Sequence, residues 1–319
     1  MALAWSAPFK APCAGALSAT SGASSASASE RQVLPVSGSA AQWRHQASVL
    51  GLASTACALA SGTNRSSARR QQRQVRVAAN ASGDGKVGFV LLAAGKGKRM
   101  GASIPKQYLK LAGLEIALHS FDTALDSGLY EEICVVLDDE YKSLFEGHLK
   151  GREASLSKVP KLKFANGGKE RQDSVCNGLA NITCEFVALH DSARPLVTIA
   201  EMEAVIKDAK KTGAALLGVP TKATIKQANM SGDKLVVDNT PDRSTLFEAH
   251  TPQVMRAELL RKGFDFVNEK KLEVTDDASI AEALGEEVTL TVGEYTNLKV
   301  TTPEDLVIAE AIIAERKAS

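Results

Sequence analysis

The sequence predicts an α/β fold, in which a mostly parallel sheet is covered by helices and carries a protruding β-arm. Three observations support this fold class. From residue 86 onward, short apolar runs alternate with segments whose apolar residues recur every three or four positions. The apolar runs are continuous, as in strands that are buried on both faces. After Pro220 the pattern changes to alternating polar and apolar residues around a Ser-Gly-Asp turn, which is typical of a hairpin.

The elements alternate in chain order through the first part of the domain. Strands are predicted at 87–93, 132–138, 161–165, 186–190 and 214–220. Helices are predicted between them, at 115–127, 140–150, 171–182 and 199–212.

The second part of the domain begins with the β-arm, at about 221–247. Its alternation is weak and its own domain can cover only part of it, so the arm is a candidate for packing on a partner chain, with a homodimer as the expected assembly. A helix near 256–268 and a strand near 288–293 follow. The last helix starts after Thr302, which can cap it, with Pro303 in the first turn.

Residues 1–80 differ in composition from residues 81–319. They contain eight basic residues and one acid, net +7; subtracting these from the totals of 38 and 37 leaves 30 basic and 36 acidic residues, net −6. An Ala- and Ser-rich segment with Arg and almost no acids is typical of an organelle transit peptide, and the serine content favours the plastid stroma. The alternative is a disordered tail without a targeting role. The segment has no apolar run long enough for a secretory signal or a membrane span.

Composition also excludes several classes of protein. None of the five cysteines forms a C-x-x-C pair, so neither structural zinc nor a disulfide framework is expected. The acidic domain disfavours a nucleic-acid partner, because nucleic acids bind basic surfaces. No membrane partner is expected either.

The first strand runs directly into a loop that suits polyphosphate. Ala93, Ala94 and Gly95 let backbone N–H groups approach an anion closely. The surrounding cations are Lys96, Lys98, Arg99 and Lys106. The spacing matches neither the dinucleotide-binding fingerprint nor the P-loop, so a Rossmann dehydrogenase is disfavoured. The alternative is an ordinary strand-to-helix turn with solvated lysines.

A second candidate site residue follows the strand at 186–190. Asp191 is expected at the carboxyl edge of the sheet, where ligands bind in α/β folds. A carboxylate there can hold Mg²⁺ or another divalent cation. Arg194 can either steady this loop or reach a phosphate, and the alternative for Asp191 is a capping residue paired with Arg194.

In this order, the motifs resemble those of the methylerythritol-phosphate cytidylyltransferases. The resemblance rests on LAAGKGKRM, PKQYL, GGKERQDSV, HDSARPLV, TPQV, VTDDAS and NLKVTTPEDL, and covers essentially all of 87–315. It implies a Rossmann-like sheet of the nucleotidyltransferase type. The implied reaction transfers CMP from CTP to 2-C-methyl-D-erythritol 4-phosphate and releases pyrophosphate, in isoprenoid precursor synthesis.

The resemblance also implies roles for individual residues. Catalytic cations would be Arg99, Lys106 and Lys299. CTP would be bound by Ala93, Ala94, Gly95, Gly168, Ser174 and Ser192. The acceptor would be bound by Arg194, Thr224, Arg243, Thr251 and Thr275, with the arm reaching into the neighbouring subunit's site. Lys169 departs from many bacterial relatives, which have an acid there, and Glu170, Arg171 and Asp173 can equally form a charge network at a helix start.

The predicted mechanism needs no general base. A phosphate oxygen of the acceptor is already anionic near neutral pH and would attack the α-phosphorus directly. Two alternatives stay open. One is a cytidylyltransferase for ribitol 5-phosphate or another sugar-alcohol phosphate, and the other is a module that senses CTP without turnover.

Overall fold

The computed structural model describes residues 85–95 and 104–318. The predicted transit peptide at 1–80 and the predicted catalytic residue Arg99 lie outside these ranges. The described strands are β1 (Val87–Leu92), β2 (Lys110–Leu111), β3 (Leu114–Glu115), β4 (Tyr130–Leu137), β5 (Lys161–Asn166), β6 (Phe186–Asp191), β7 (Ala214–Pro220), β8 (Gln227–Ser231), β9 (Lys234–Asn239), β10 (Phe247–Arg256) and β11 (Thr289–Val292).

The described helices separate these strands. The α-helices are α1 (Ile116–Ser127), α2 (Lys142–Arg152), α3 (Arg171–Leu179), α4 (Ile199–Thr212), α5 (Ala257–Lys270), α6 (Ala278–Ala283) and α7 (Pro303–Ala318). Short 3₁₀ turns span Lys106–Tyr108, Asp139–Tyr141, Glu153–Ser155 and Arg243–Thr245. No helix in the described ranges is long and apolar enough to cross a membrane.

Seven strands form the central sheet, in the order β11–β7–β10–β6–β1–β4–β5. β1 pairs in parallel with both β4 and β6, and β10 is antiparallel to both of its neighbours. The chain moves to β4 and β5 on one side of β1 and to β6 on the other. Such a change of direction opens a crevice at the carboxyl ends of the strands, where α/β proteins bind ligands. The predicted α/β, mostly parallel fold is confirmed.

The core lies on both faces of this sheet, as the continuous apolar runs predict. Phe89 and Leu91 point to one face and pack with residues of α1, α2 and α4. Val90 points to the other face and packs with α3, α5 and α6. Successive residues of β1 are therefore buried on opposite faces, because side chains alternate along a strand. This burial holds β1 in place within the sheet and so determines where the loop after β1 begins.

The β-arm is a separate two-stranded hairpin of β8 and β9, paired antiparallel around Gly232 and Asp233. Gly232 has a φ of +61°, a conformation that suits glycine in a tight turn. Every residue of β9 is exposed, including Leu235, Val236 and Val237. The arm therefore buries little of its apolar surface within its own chain.

Three described strands, β2, β3 and β10, and the short helix α6 are not predicted by the sequence. β10 lies inside the central sheet although it contains Pro252, which normally disfavours an interior strand. Its pairing with β7 shifts register between Ala249 and Gln253, which accommodates the proline. The short helix α6 also escaped prediction, since VTDDAS gives no extended apolar period.

The element ends differ slightly from the predicted ones. The helix predicted at 171–182 ends at Leu179, because residues 180–182 form turn hydrogen bonds instead. At the last helix the prediction is confirmed: Pro303 is the first residue of α7, and the Asp305 N–H donates to Thr302 Oγ1 at 3.4 Å.

Candidate active site

A cavity of about 640 Å³ opens at the carboxyl ends of β1 and β6. Its walls come from the loop after β1, the turn before α3, the turn after β6 and the segment before α7. The lining residues are Leu92, Ala94, Gly95, Lys106, Gln107, Gly168, Lys169, Glu170, Arg171, Ser174, Asp191, Ser192, Ala193, Lys299 and Thr301. The cavity therefore lies at the crevice that the strand order predicts.

The loop after β1 is held by hydrogen bonds on its inner side. The Ala93 N–H donates to the Val136 carbonyl at 2.7 Å. The Ala93 carbonyl accepts from Gln107 Nε2 at 2.6 Å and from Tyr108 Oη at 2.9 Å. Gln107 Nε2 also donates to the Gly95 carbonyl at 2.8 Å. These bonds leave Ala94 and Gly95 facing the cavity.

The turn before α3 packs against this loop so closely that it needs glycine. A Cβ on Gly167 would lie 2.3 Å from the Ala94 Cβ, and one on Gly168 would lie 2.1 Å from the Asp173 Cβ. The Gly168 N–H donates to Ser174 Oγ at 2.9 Å. Asp173 accepts the Glu170 N–H at 3.0 Å, so Asp173 serves the start of α3. The glycines thus let the turn pack closely against the β1 loop and the start of α3.

Asp191 lines the cavity between two cations. Its Oδ2 accepts from Lys299 Nζ at 2.6 Å, and its Oδ1 lies 3.4 Å from Arg171 Nη2. Arg171 also makes a bidentate pair with Asp277, at 2.8 and 2.7 Å. Burial would raise the pKa of Asp191, but Arg171 and Lys299 together hold that pKa well below its usual range. Asp191 is therefore ionised at any pH near neutrality.

The turn after β6 is supported from behind by a buried polar chain. The Asp191 N–H donates to Thr251 Oγ1 at 3.1 Å, and Thr251 Oγ1 lies 3.0 Å from His190 Nδ1. His190 Nε2 lies 3.1 Å from the Arg194 carbonyl, which can only accept, so Nε2 carries the proton and Nδ1 accepts from Thr251. Burial lowers the pKa of His190 to about 4, so the ring is neutral.

Lys106 approaches the cavity from the opposite side. Its Nζ donates to the Val300 carbonyl at 2.7 Å, in the segment that also carries Lys299 and Thr301. This bond links the 3₁₀ turn after the β1 loop to the segment before α7, 194 residues later. Two cations predicted from distant motifs therefore meet at one cavity.

Eight of the predicted site residues line this cavity. They are Ala94, Gly95, Lys106, Gly168, Ser174, Asp191, Ser192 and Lys299. Ala93 lies beneath the loop, with its carbonyl turned inward. The Ser192 hydroxyl donates to the Leu92 carbonyl at 2.7 Å, and this bond ties the turn after β6 to the end of β1.

Two residues predicted for acceptor binding lie behind the cavity wall. Arg194 is 8 % exposed and donates to the carbonyls of Asn297 at 2.7 Å and Ala249 at 3.1 Å. Thr251 is buried, and its hydroxyl is used by Asp191 and His190. Of the two roles considered for Arg194, these contacts match the one that steadies the loop.

The other predicted acceptor residues lie away from the main cavity. Arg243 lines a separate cavity of about 600 Å³ at the root of the arm, beside Lys222. Thr224 lies in the same connecting segment before β8. Thr275 lines a third cavity of about 340 Å³, which shares Glu170 and Arg171 with the main one. Within one subunit these residues do not meet.

No motif of the sequence assigns Arg171, Gln107 or Asp277 a role in the site. The sequence offers Arg171 as one member of a helix-start network, but Arg171 pairs with Asp277, 106 residues further along the chain. Gln107 lies in the motif PKQYL, but its partners are backbone carbonyls of the β1 loop. Because every residue has a backbone carbonyl, no sequence pattern predicts these contacts. Asp277 lies in the motif VTDDAS next to Asp276, whose carboxylate accepts the Ser279 N–H at 3.0 Å in the first turn of α6.

The charges of the cavity suit a polyanion. Among its described lining residues, Lys106, Lys169, Arg171 and Lys299 are cationic, whereas Glu170 and Asp191 are acidic. Loop N–H groups and fixed cations around one space are the elements that stabilise transferring phosphoryl groups. The arrangement contains an ionised carboxylate and a neutral, fully buried histidine, but no described pair poised to exchange a proton with a substrate.

Comparison with known proteins agrees with this geometry. Residues 87–315 match the family model described as IspD, 2-C-methyl-D-erythritol 4-phosphate cytidylyltransferase. A chloroplastic protein of that name from Oryza sativa subsp. japonica is 53 % identical over 232 residues, covering 72 % of this chain and 75 % of the relative. One from Clostridium perfringens is 41 % identical over 231 residues, covering 72 % and 99 %.

Solved structures give the same result. The 4-diphosphocytidyl-2C-methyl-D-erythritol synthase from Anaerococcus prevotii has a TM-score of 0.62 at 25 % identity, covering 72 % of this chain and 100 % of its own. The 2-C-methyl-D-erythritol 4-phosphate cytidylyltransferase from Thermus thermophilus has a TM-score of 0.56 at 29 % identity, covering 71 % and 98 %.

Proposed function

The chain belongs to the 2-C-methyl-D-erythritol 4-phosphate cytidylyltransferase family, and from this premise we propose how its main cavity carries out the family's reaction. The enzyme transfers CMP from CTP to 2-C-methyl-D-erythritol 4-phosphate, giving 4-diphosphocytidyl-2-C-methyl-D-erythritol and pyrophosphate. The observation that carries the assignment of the site is the meeting of the β1 loop, Lys106, Lys299 and Asp191 at one cavity.

CTP lies with its triphosphate against Ala94 and Gly95, beside Lys106 and Lys299. Arg99, which lies outside the described residues, is proposed as a further catalytic cation because of its place in the motif LAAGKGKRM. The base lies along the turn before α3, near Gly168 and Ser174, where backbone carbonyls can accept from the cytosine amino group. This placement is supported by Lys106 and Lys299 beside the β1 loop and by the close packing of the glycine turn before α3 against that loop.

A divalent cation such as Mg²⁺ suits the donor chemistry of Asp191. This carboxylate is ionised, and Mg²⁺ is bound in nucleotide sites by one or two carboxylates together with substrate phosphates. Within residues 85–95 and 104–318, no group of three acidic, His or Cys side chains could hold a metal alone, so CTP would supply the remaining ligands. The ion, when bound, neutralises charge on the phosphates.

The chemistry is an in-line displacement. A phosphate oxygen of the acceptor attacks the α-phosphorus, a new P–O–P bond forms, and the bond to the β-phosphate breaks with pyrophosphate leaving. The acceptor phosphate is anionic near pH 7, so no protein group has to remove a proton. Lys106, Lys299, Arg99 and the loop N–H groups stabilise the negative charge on the α-phosphate and the leaving group.

The acceptor site is completed by a second subunit. Arg243 and Thr224 lie at the arm, away from the main cavity of their own chain. A homodimer in which the arm reaches the partner would bring them to the partner's Asp191 and Thr275, and the exposed apolar residues of β9 support such packing. Arg194 and Thr251 hold the turn after β6 from behind the wall.

We place the enzyme in the plastid. Residues 1–80 have the composition of a transit peptide, and the rice relative is a chloroplastic protein.

The function is tested by incubating the chain with Mg²⁺, each of the four NTPs, and either methylerythritol 4-phosphate or ribitol 5-phosphate. Pyrophosphate release is expected only with CTP and methylerythritol phosphate, and EDTA is expected to abolish it. Equal release with ribitol phosphate would move the enzyme to another acceptor. CTP that is bound but not consumed with either acceptor would support a sensing module instead.

A further inference from the structure

The side chain of Gln107 is buried directly beneath the loop after β1. It is 2 % exposed and lies in the 3₁₀ turn Lys106–Tyr108. Its single amide nitrogen donates to two loop carbonyls, Ala93 at 2.6 Å and Gly95 at 2.8 Å. An amide NH₂ has two hydrogens, so both of its donors are used on the loop.

Tyr108 reinforces one of these bonds. Its hydroxyl donates to the same Ala93 carbonyl at 2.9 Å, so both lone pairs of that oxygen have partners. The Tyr108 ring stacks on Tyr141, with the ring centroids 3.6 Å apart and the planes 8° apart. Burial, helped by nearby Asp138, raises the pKa of Tyr108 above its usual range, so the hydroxyl keeps its proton and remains a donor.

The hydrogen bonds to the Ala93 carbonyl also determine the direction in which the N–H group of Ala94 points. A trans peptide is planar, and its C=O and N–H point in opposite directions. The Ala93 carbonyl points towards Gln107 and Tyr108, so the N–H of Ala94 points away from them. Ala94 lines the cavity, whereas Ala93 does not. If this peptide turned over, a partially negative oxygen would take the place of a donor.

We propose that Gln107 is a positioning residue for phosphate binding. Together with Tyr108 it turns the carbonyls of the β1 loop away from the cavity and fixes the Ala94 N–H towards the triphosphate. The proposal rests on the proposed function, because it takes CTP phosphates as the ligand of the loop. It also explains the residue type, since a carboxylate at position 107 could only accept and would oppose both carbonyls.

The test compares three ligands that sample different parts of the site. Dissociation constants of CTP, pyrophosphate and cytidine are measured for the full-length wild type and for Gln107→Met, which keeps the length of the side chain without its donors. Affinity for CTP and pyrophosphate is expected to fall about 10- to 100-fold, the equivalent of two lost hydrogen bonds to the loop. Cytidine, which has no phosphate, is expected to change by less than about twofold.

Two further variants complete the design. Gln227→Met makes the same change at an exposed position of the β-arm and is expected to leave CTP affinity unaltered. Tyr108→Phe keeps the stacked ring and removes one hydrogen bond to the Ala93 carbonyl. Its affinity for CTP and pyrophosphate is expected to fall about three- to tenfold. If Gln107→Met fails to fold, Tyr108→Phe decides.

The outcomes separate this proposal from the function it rests on. A wild type that binds CTP, with Gln107→Met equally tight or weakened to the same degree for all three ligands, would overturn the positioning role alone. A wild type that binds neither CTP nor pyrophosphate would overturn the proposed function and this role with it.

Discussion

At the scale of single residues, burial and two neighbouring cations act on the pKa of Asp191 in opposite directions. Burial favours its neutral form, whereas Lys299 at 2.6 Å and Arg171 at 3.4 Å favour the carboxylate and hold the pKa of Asp191 low. A permanently ionised group is a poor proton carrier near neutral pH. We therefore assign Asp191 to holding cations, and assign the stabilisation of transferred charge to Lys106 and Lys299.

Replacing Lys299 by Met should slow CMP transfer by about 10²–10³, because one fixed charge on the phosphates is lost. The same substitution should let the pKa of Asp191 rise towards its usual range, since Lys299 is one of the groups that lower it. Steady-state kcat and the dissociation constant of CTP check the first point.

Lys262→Met is the matched control for Lys299→Met. Lys262 is exposed on α5, pairs with Glu258 and does not line the cavity. Its kcat should stay within about twofold of the wild type, as for most surface changes. If Lys299→Met behaved like this control, the role of Lys299 would be refuted.

At the scale of elements, the sequence predicts the positions of the strands better than it predicts the polar contacts between side chains. Continuous apolar runs marked β1, β4, β6 and β7, because burial on both faces demands such runs. β10 is not predicted because Pro252 and several polar residues interrupt the apolar run that marks a buried strand. The sheet accommodates the proline by a register shift. Strand ends and motifs placed Asp191 and Lys299 at the site, whereas the partners of Arg171 and Gln107 depend on tertiary contacts that no local pattern records.

An ion pair between the buried Glu132 and the partly exposed Lys163 joins β4 to β5, and Glu132 also binds Thr183 in the turn after α3. Glu132 Oε1 accepts from Lys163 Nζ at 2.8 Å, and Glu132 also accepts from the N–H and hydroxyl of Thr183. Burial would raise the pKa of Glu132, but Lys163 and Thr183 lower it to about 2. The folded pKa lies below the ordinary value, so the stability from this group is present above about pH 4.5 and is lost as the pH falls towards 2.

Glu132→Gln should therefore destabilise the protein most near neutral pH. We expect a loss of about 3 kcal/mol in the free energy of unfolding at pH 7, and a difference from wild type that shrinks between pH 4.5 and 2. Denaturant unfolding at a series of pH values measures it. The neighbouring exposed pair Glu131–Lys158 supplies the control, and Glu131→Gln should cost less than about 1 kcal/mol at every pH. A deficit for Glu132→Gln that does not change with pH would contradict the assignment.

At the scale of the whole molecule, two of the predicted acceptor residues lie at the root of the β-arm, away from the main cavity of the same chain. Arg243 and Thr224 line or adjoin the arm root, while Lys106, Asp191 and Lys299 line the main cavity. The arm also exposes Leu235, Val236 and Val237, which a partner chain can cover. A homodimer with shared sites accounts for both observations.

Mixing two inactive variants tests this sharing. Arg243→Met and Lys299→Met subunits, each nearly inactive alone, should form mixed dimers in which one of the two sites has an intact set of residues. About half of the dimers would be mixed, so about a quarter of wild-type activity should return. The measurement is CMP transfer after co-expression. Activity no greater than the sum of the separate variants would contradict a site built from two chains.

The most direct test of the central claim, that CMP transfer occurs at the cavity of about 640 Å³, is the rate of Lys106→Met with CTP and methylerythritol 4-phosphate. Lys106 reaches this cavity and is tied to the Val300 carbonyl opposite. We expect formation of the cytidylylated product to slow by about 10²–10³, with an unfolding midpoint close to that of the wild type. A folded Lys106→Met protein that forms product at nearly the wild-type rate would place the reaction elsewhere.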